Sequence, residues 1–237
     1  MNKAVFITGT DTGVGKTVIA GLLGRFLSEN GIKTVTQKWI QTGCKNFSGD
    51  ILEHTKIMGE KKSLAKASCE KRVPYILDFP ASPHLSALLE RKKIQISRIE
   101  KAFWSLAEHF DFIIVEGAGG FLVPINDKKT IADIVKKLKL SVVIVAENRL
   151  GAINQTLLTI EALKSRGIEI IGIVFNRLRK SEDDLILKDN IKTVETFSGE
   201  KILGELHCLE DRDILYKMFM PIGENIIKVF RKEKKDK

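Results

Sequence analysis

Residues 4–27 read "AVFITGTDTGVGKTVIAGLLGRFL", and this stretch decides the fold. An apolar run gives way to a glycine-rich turn from Gly9 to Gly15. Ile19, Leu22, Leu23, Phe26 and Leu27 then recur at helical spacing, and Asn30-Gly31 supplies a left-handed stop. Strand, glycine turn and helix in that order form the context of a phosphate-binding loop, whose successive backbone N–H groups and helix N-terminus face phosphate oxygens. The lettering departs from G-x-x-x-x-G-K-[ST]: Gly9 stands one place early, and Asp11 follows two residues later. Gly13 and Gly15 lack a Cβ, so the backbone can approach an anion closely. The nucleotide set carried by this loop is Gly13, Val14, Gly15, Lys16, Thr17 and Val18. Lys16 is placed to bridge the β- and γ-phosphates as a point charge, and the Thr17 hydroxyl to ligate Mg²⁺.

The same grammar runs down the chain. Strand candidates fall at residues 4–8, 33–38, 72–77, 112–116, 141–146, 169–175 and 201–206. "FIIVE" (112–116) is apolar up to its acid and "SVVIVAE" (141–147) up to its last residue, as in strands buried on both faces of a parallel sheet. Ile96, Ile99, Phe103 and Leu106 mark a second helix, and "GAINQTLLTIEALKSRG" (151–167) a third. The alternation predicts a three-layer α/β fold of the P-loop NTPase type, with a mostly parallel central sheet of about seven strands. With no repeat, linker or low-complexity tract, residues 1–237 read as one domain with a basic tail at 231–237.

Composition removes other classes. The formal net charge is +9, but the lysines lie beside acids along the chain, and the cluster "FRKEKKDK" (230–237) reads as a solvated tail. No basic stretch is interleaved with aromatics, so nucleic acid is not an expected partner, whereas anionic small molecules are. No run approaches the length of a membrane span, and "MNKAVFITGT" has no secretory pattern, so the expected location is the cytoplasm. Cys44, Cys69 and Cys208 have no metal-type spacing. His54, His84, His109 and His207 are scattered and read as isolated surface or loop imidazoles.

A P-loop enzyme needs a carboxylate for its metal, and "DFIIVEGAGG" (111–120) places Glu116 at the carboxyl end of a buried strand, where open α/β sheets bind ligands. Gly117, Gly119 and Gly120 let the following loop pass close to phosphate. Two related classes fit less well. ParA/MinD-type partitioning ATPases carry a signature lysine at the position held here by Asp11, and "GTDTGVG" does not fit the dinucleotide fingerprint G-x-G-x-x-G.

Taken together, "GTDTGVGKT", "QKWIQTG" (37–43), the aspartate of "SGDILEH" (48–54), "PASPHLSA" (80–87), "VEGAGGFLVP" (115–124), "RLGAINQTLLT" (149–159), "GIVFN" (172–176) and "LGEL" (203–206) make the chain resemble the dethiobiotin synthetases over nearly its whole length. Cousins that amidate cobyrinic acid carry a glutaminase domain on a much longer chain. The resemblance implies an ATP- and Mg²⁺-dependent ligase that closes a ureido ring on 7,8-diaminopelargonic acid with CO2. It implies a carbamate, then a carbamic–phosphoric anhydride, and ADP and phosphate as products. Lys38 matches the family's catalytic lysine, acting with Lys16, while Thr12 donates toward the carbamate or the γ-phosphate. Asp11 would then shape the loop's mouth near the carbamate.

Thr17, Asp50 and Glu116 match the metal ligands, and Gly117, Ala118 and Gly119 the loop beside the phosphates. Asn176 matches the adenine-reading amide, with Arg177, His207, Cys208 and Leu209 around the base. Thr42 matches a hydroxyl that contacts the diamine. Leu150, Gly151, Ala152, Ile153 and Asn154 match a helix start that binds the substrate carboxylate across a homodimer interface. Two departures stand out. Trp39 follows Lys38 where many members have proline, so Trp39 either fixes the backbone by packing or narrows the substrate mouth. The segment "LHCLEDRD" (206–213) lacks a common proline, and Glu210 or Asp213 becomes the candidate ribose acceptor. His84 reads as structural, since phosphoryl transfer here needs no histidine base.

Overall fold

Side chains of the first strand point alternately into two cores. Val5 and Ile7 join one apolar cluster and Phe6 the other, all fully buried. A computed structural model of the chain describes residues 3–60, 69–178, 183–207, 209 and 211–232. Within them β1 (Lys3–Gly9) leads into α1 (Lys16–Glu29), β2 (Thr34–Lys38), β3 (Ile40–Thr42), α2 (Gly49–Ile57), the single turn α3 (Cys69–Arg72), β4 (Tyr75–Leu77) and α4 (Pro83–Leu89). The chain continues through α5 (Ile96–Ala107), β5 (Phe112–Gly120), α6 (Ile131–Leu138), β6 (Ser141–Glu147) and α7 (Ala152–Lys164). It closes with β7 (Ile170–Arg177), α8 (Asp184–Ser198), β8 (Ile202–His207) and α9 (Arg212–Lys232).

The central sheet has six strands in the order β2-β5-β1-β6-β7-β8, and each of these pairings is parallel. One core lies between the sheet and α1 and α9, the other between the sheet and α5, α6, α7 and α8. Layers on both faces explain why β5 and β6 are apolar on both sides.

The expected seventh strand, at 72–77, does not join this sheet. Its residues 75–77 pair with β3 in a separate two-stranded parallel ladder. The free edge of β2 is closed by side chains instead. Arg72, buried, donates from Nε to the carbonyl of Thr36 (3.0 Å) and from Nη2 to its hydroxyl (2.6 Å), and Gln37 donates to the carbonyl of Lys71 (2.8 Å). A guanidinium thus satisfies the edge that a neighbouring strand would otherwise occupy.

Two small residues bring helices onto α1. A Cβ on Gly21 would meet Ile57 at 2.8 Å, and one on Gly24 would meet the Met58 sulfur at 2.6 Å, so α2 lies against the glycine face of α1. The long α9 has no counterpart in the sequence reading. Pro221 interrupts its pattern, and Gly223 is where it approaches the Phe26 ring, 2.8 Å from a would-be Cβ. The basic tail beyond Lys232 lies outside the described residues, as do Cys208 and Glu210.

Candidate functional site

Pairing register brings the chemistry together. Lys38 ends β2 opposite Glu116 of β5, and Glu116 stands opposite Ile7 of β1, two residues before the loop begins at Gly9. All three strands end on one side of the sheet, so the phosphate loop, Lys38 and Glu116 meet there. Gly9 is fixed by crowding: a Cβ would lie 2.7 Å from Val14, 2.9 Å from the Asp11 carbonyl and 2.9 Å from Lys16 Nζ. Gly15 caps α1 at φ +100, and a Cβ there would sit 2.1 Å from the Asn176 amide nitrogen. That amide donates to the Val14 carbonyl at 3.0 Å, so Asn176 at the end of β7 buttresses the loop.

A cleft of about 730 Å³ opens over these residues. Thr12, Gly13, Gly15, Lys16, Thr17, Val18, Lys38, Thr42, Asp50, Glu116, Ala118 and Gly119, expected from the sequence, line it. Val14 lies beneath the loop, and Gly117 meets the site through its carbonyl, which accepts from Lys38 Nζ at 2.9 Å. Ile40, Gln41, Val123 and the Pro80–Pro83 turn line it as well, and sequence reasoning did not place them in the site. Their signal was present in "QKWIQTG" and "PASPHLSA", where only Thr42 was assigned a contact. His84 is exposed, with Nδ1 3.1 Å from the Ser82 hydroxyl, and is not among the residues lining the cleft.

Two ammonium groups face this cleft. Lys38 Nζ, buried, lies 2.7 Å from Asp50 Oδ2 and 2.7 Å from Glu116 Oε1. Burial works against its charge, but Glu116 and Asp50 outweigh it and hold Lys38 above the ordinary lysine value. Lys16 Nζ donates to the Asp11 carbonyl at 2.7 Å. Burial first, and the Lys38 ammonium second, press Lys16 down to about 8, against the pull of Glu116, Asp50 and Asp11. Burial would raise Glu116, yet the Lys38 charge and the His54 contact bring it down to about 2.

Asp11 is exposed, and its side chain accepts from the Thr12 N–H at 2.6 Å, which folds the loop's mouth back on itself. Trp39 is buried and does not line the cleft. Its ring stacks on Phe6 with centroids 5.0 Å apart, and its Nε1 donates to Gln37 at 3.0 Å. Of its two readings, packing is the one the geometry favours.

The donor set fits a hard divalent cation. The Thr17 hydroxyl donates to Glu116 Oε1 at 3.0 Å, and Lys38 Nζ stands as a cation between that same oxygen and Asp50. Glu116 Oε2 is buried, with His54 Nε2 2.8 Å away. Hydroxyl and carboxylate oxygens suit Mg²⁺, which keeps positions for water and phosphate. No cluster of three or more His, Cys, Asp or Glu residues able to hold a metal occurs among the described residues.

One expectation is corrected. His54, read as a surface or loop imidazole, is fully buried with Nε2 2.8 Å from Glu116 Oε2. It was missed because its partner lies 62 residues away in the chain and meets it only once α2 has docked.

Other expected residues stand apart from the cleft wall. Leu150 and Asn154 are exposed at the start of α7, which Gly151 caps at φ +87, while Ala152 is buried and Ile153 half-buried. Arg177 pairs with Asp184 at 2.7 Å, His207 lies 3.5 Å from Glu205, Leu209 is exposed, and Asp213 pairs with Arg25 at 3.1 Å.

A family model described as an AAA domain matches residues 3–213. The ATP-dependent dethiobiotin synthetase BioD 2 of Haemophilus influenzae is 40% identical over 193 residues, covering 80% of this chain and 99% of that protein. The ATP-dependent dethiobiotin synthetase BioD of Methanococcus vannielii is 36% identical over 218 residues, 92% of this chain and 100% of the relative. Among solved structures, the MinC:MinD cell division complex of Aquifex aeolicus superposes with a TM-score of 0.58 at 12% identity, covering 95% of this chain and 96% of that one. The pNOB8 ParA bound to nonspecific DNA reaches 0.57 at 14% identity, with both chains covered completely. Those two likenesses concern the fold alone. The sequence relatives carry more, since at 36–40% identity they match over 80% and 92% of this chain and nearly all of their own length, and the chain belongs to the ATP-dependent dethiobiotin synthetase family.

Proposed function

We propose that this cleft closes the ureido ring of dethiobiotin from 7,8-diaminopelargonic acid, CO2 and ATP. One amine of the diamine adds to CO2 and loses a proton, giving a carbamate. A carbamate oxygen attacks the γ-phosphorus while the bond to the β-phosphate oxygen breaks, releasing ADP and leaving a carbamic–phosphoric anhydride. The second amine then attacks the carbonyl carbon, sheds its proton and expels phosphate.

Each step moves negative charge, and the observation that carries the reading is the pair of buried ammonium groups, Lys16 and Lys38, facing one cleft beside the phosphate loop. Lys16 and the loop amides neutralise the β- and γ-phosphates, and Lys38 holds the carbamate as its charge passes to the phosphoryl group. Thr12 donates at the loop's mouth, and Thr42 borders the diamine. Thr17, Asp50 and Glu116 would hold Mg²⁺, which when bound draws charge from the phosphate oxygens. Asn176 and Arg177, with His207 and Leu209, form the adenine side. N–H groups at the start of α7, within Leu150 to Asn154, receive the substrate carboxylate, the Ala152 N–H being already given to the Arg149 carbonyl at 3.0 Å. Exposure of Leu150 (71%), in the turn before α7, and of Leu158 (61%) on α7 supports a homodimer in which that helix start serves the partner's cleft. The location that fits is the cytoplasm, and no described helix is long and apolar enough to cross a membrane.

Mass spectrometry of a reaction run with ¹³C-bicarbonate tests the chemistry. A ureido product carrying the label is expected, and unlabelled or unclosed diamine after ATP consumption would refute it.

A further inference from the structure

His54 has no part in the steps above, yet it is placed as though it did. It is fully buried on α2, one helical turn after Asp50, so both side chains project from the same face of the helix. Asp50 reaches the Lys38 ammonium at 2.7 Å, and His54 Nε2 reaches Glu116 Oε2 at 2.8 Å. The other oxygen of Glu116 is already taken, by Lys38 at 2.7 Å and Thr17 at 3.0 Å. Among the described residues Nδ1 has no partner and Nε2 meets Glu116 alone. Burying an imidazole for a single polar contact is costly, and an apolar side chain would fill the space without that cost. The close fit of α2 on Gly21 and Gly24 of α1 fixes how deeply His54 enters.

We propose that His54 is a positioning residue for Glu116. It holds Oε2 from behind, so that Oε1 stays turned toward Thr17 and the cleft. The proposal rests on the reading of Thr17, Asp50 and Glu116 as the Mg²⁺ ligands, and assigns His54 to the shell outside them. Losing such an outer partner typically weakens metal binding by about 10–100-fold.

The test is Mn²⁺ binding to the full chain with a non-hydrolysable ATP analogue, read by electron paramagnetic resonance and by calorimetry, alongside melting temperature. His54→Leu keeps the volume and removes the polar contact, whereas His54→Gln keeps a donor. His54→Leu is expected to weaken Mn²⁺ by about 10–100-fold, with metal-free affinity for the analogue unchanged and His54→Gln within about threefold of the parent. If His54→Leu does not fold, His54→Asn, whose amide is too short to reach Glu116, is expected to show the same weakening. Mn²⁺ affinity within threefold of the parent in the folded Leu or Asn variant, with only the melting temperature lowered, would overturn the proposal and leave the metal reading intact. A parent that binds no Mn²⁺ would overturn both.

Discussion

Two lysines carry most of the proposed chemistry, and each makes a distinct prediction. Lys38→Ala removes the cation between Asp50 and Glu116, and turnover should fall by roughly two to three powers of ten, the usual cost of a charge-stabilising donor. Steady-state rates of ureido formation check this, and near-normal turnover would remove Lys38 from the mechanism. Lys16 predicts a pH effect. In the free protein it loses its proton near pH 8, whereas bound phosphates favour the charged form. Binding of ATP must then take up a proton above about pH 8, so affinity should weaken by up to about tenfold per pH unit until Lys16 titrates in the complex. Calorimetry from pH 7 to 9.5 in buffers of different ionisation enthalpy measures this, and Lys16→Ala should flatten the profile. At this scale the sequence was legible where residues sit inside a contiguous motif, as Lys16, Thr17 and Glu116 do. Lys38 was legible only through the resemblance, because an isolated lysine after "TVTQ" carries no sign that it will be buried. His54 was not legible, because its meaning depends on how α2 docks.

Helices and strands aim those residues, and their ends are the informative places. Trp39 sits between β2 and β3 in the core beneath Lys38, so Trp39→Ala should cost about 3–5 kcal/mol of stability. Urea unfolding measures it, and a loss under 1 kcal/mol would show that the Phe6 stack contributes little. Gly151, outside the cleft wall of its own chain, gives the opposite kind of test. Gly151→Asp puts a negative charge at the start of α7 and should raise KM for the diamine while leaving KM for ATP alone; an unchanged KM for the diamine would refute the carboxylate assignment. Strands were legible because their apolar runs are dictated by burial on both faces. The exceptions share a cause: β4 and α9 are set by tertiary contacts. Arg72 occupies the edge that β4 would have joined, and Gly223 lets α9 approach Phe26 despite Pro221 within the helix.

For the whole molecule, the question is whether one chain makes a complete site. If α7 of one protomer serves the cleft of the other, as proposed, two impaired variants should complement at diamine concentrations well below the raised KM. Mixing Lys38→Ala with Gly151→Asp under exchange of subunits leaves one intact site in each hybrid dimer, or about a quarter of all sites. Activity returning to that level is expected, and none would contradict a shared site. The fold, shared with MinD and ParA structures at 12–14% identity, does not by itself choose between ligase and switch, whereas the sequence relatives, matched over 80% and 92% of this chain, do. The central claim is tested most directly by ADP release from the purified protein with Mg-ATP, with and without 7,8-diaminopelargonic acid and bicarbonate. Release that requires both is predicted. Release indifferent to them, or driven by DNA or a protein instead, would contradict the account while leaving the nucleotide site in place.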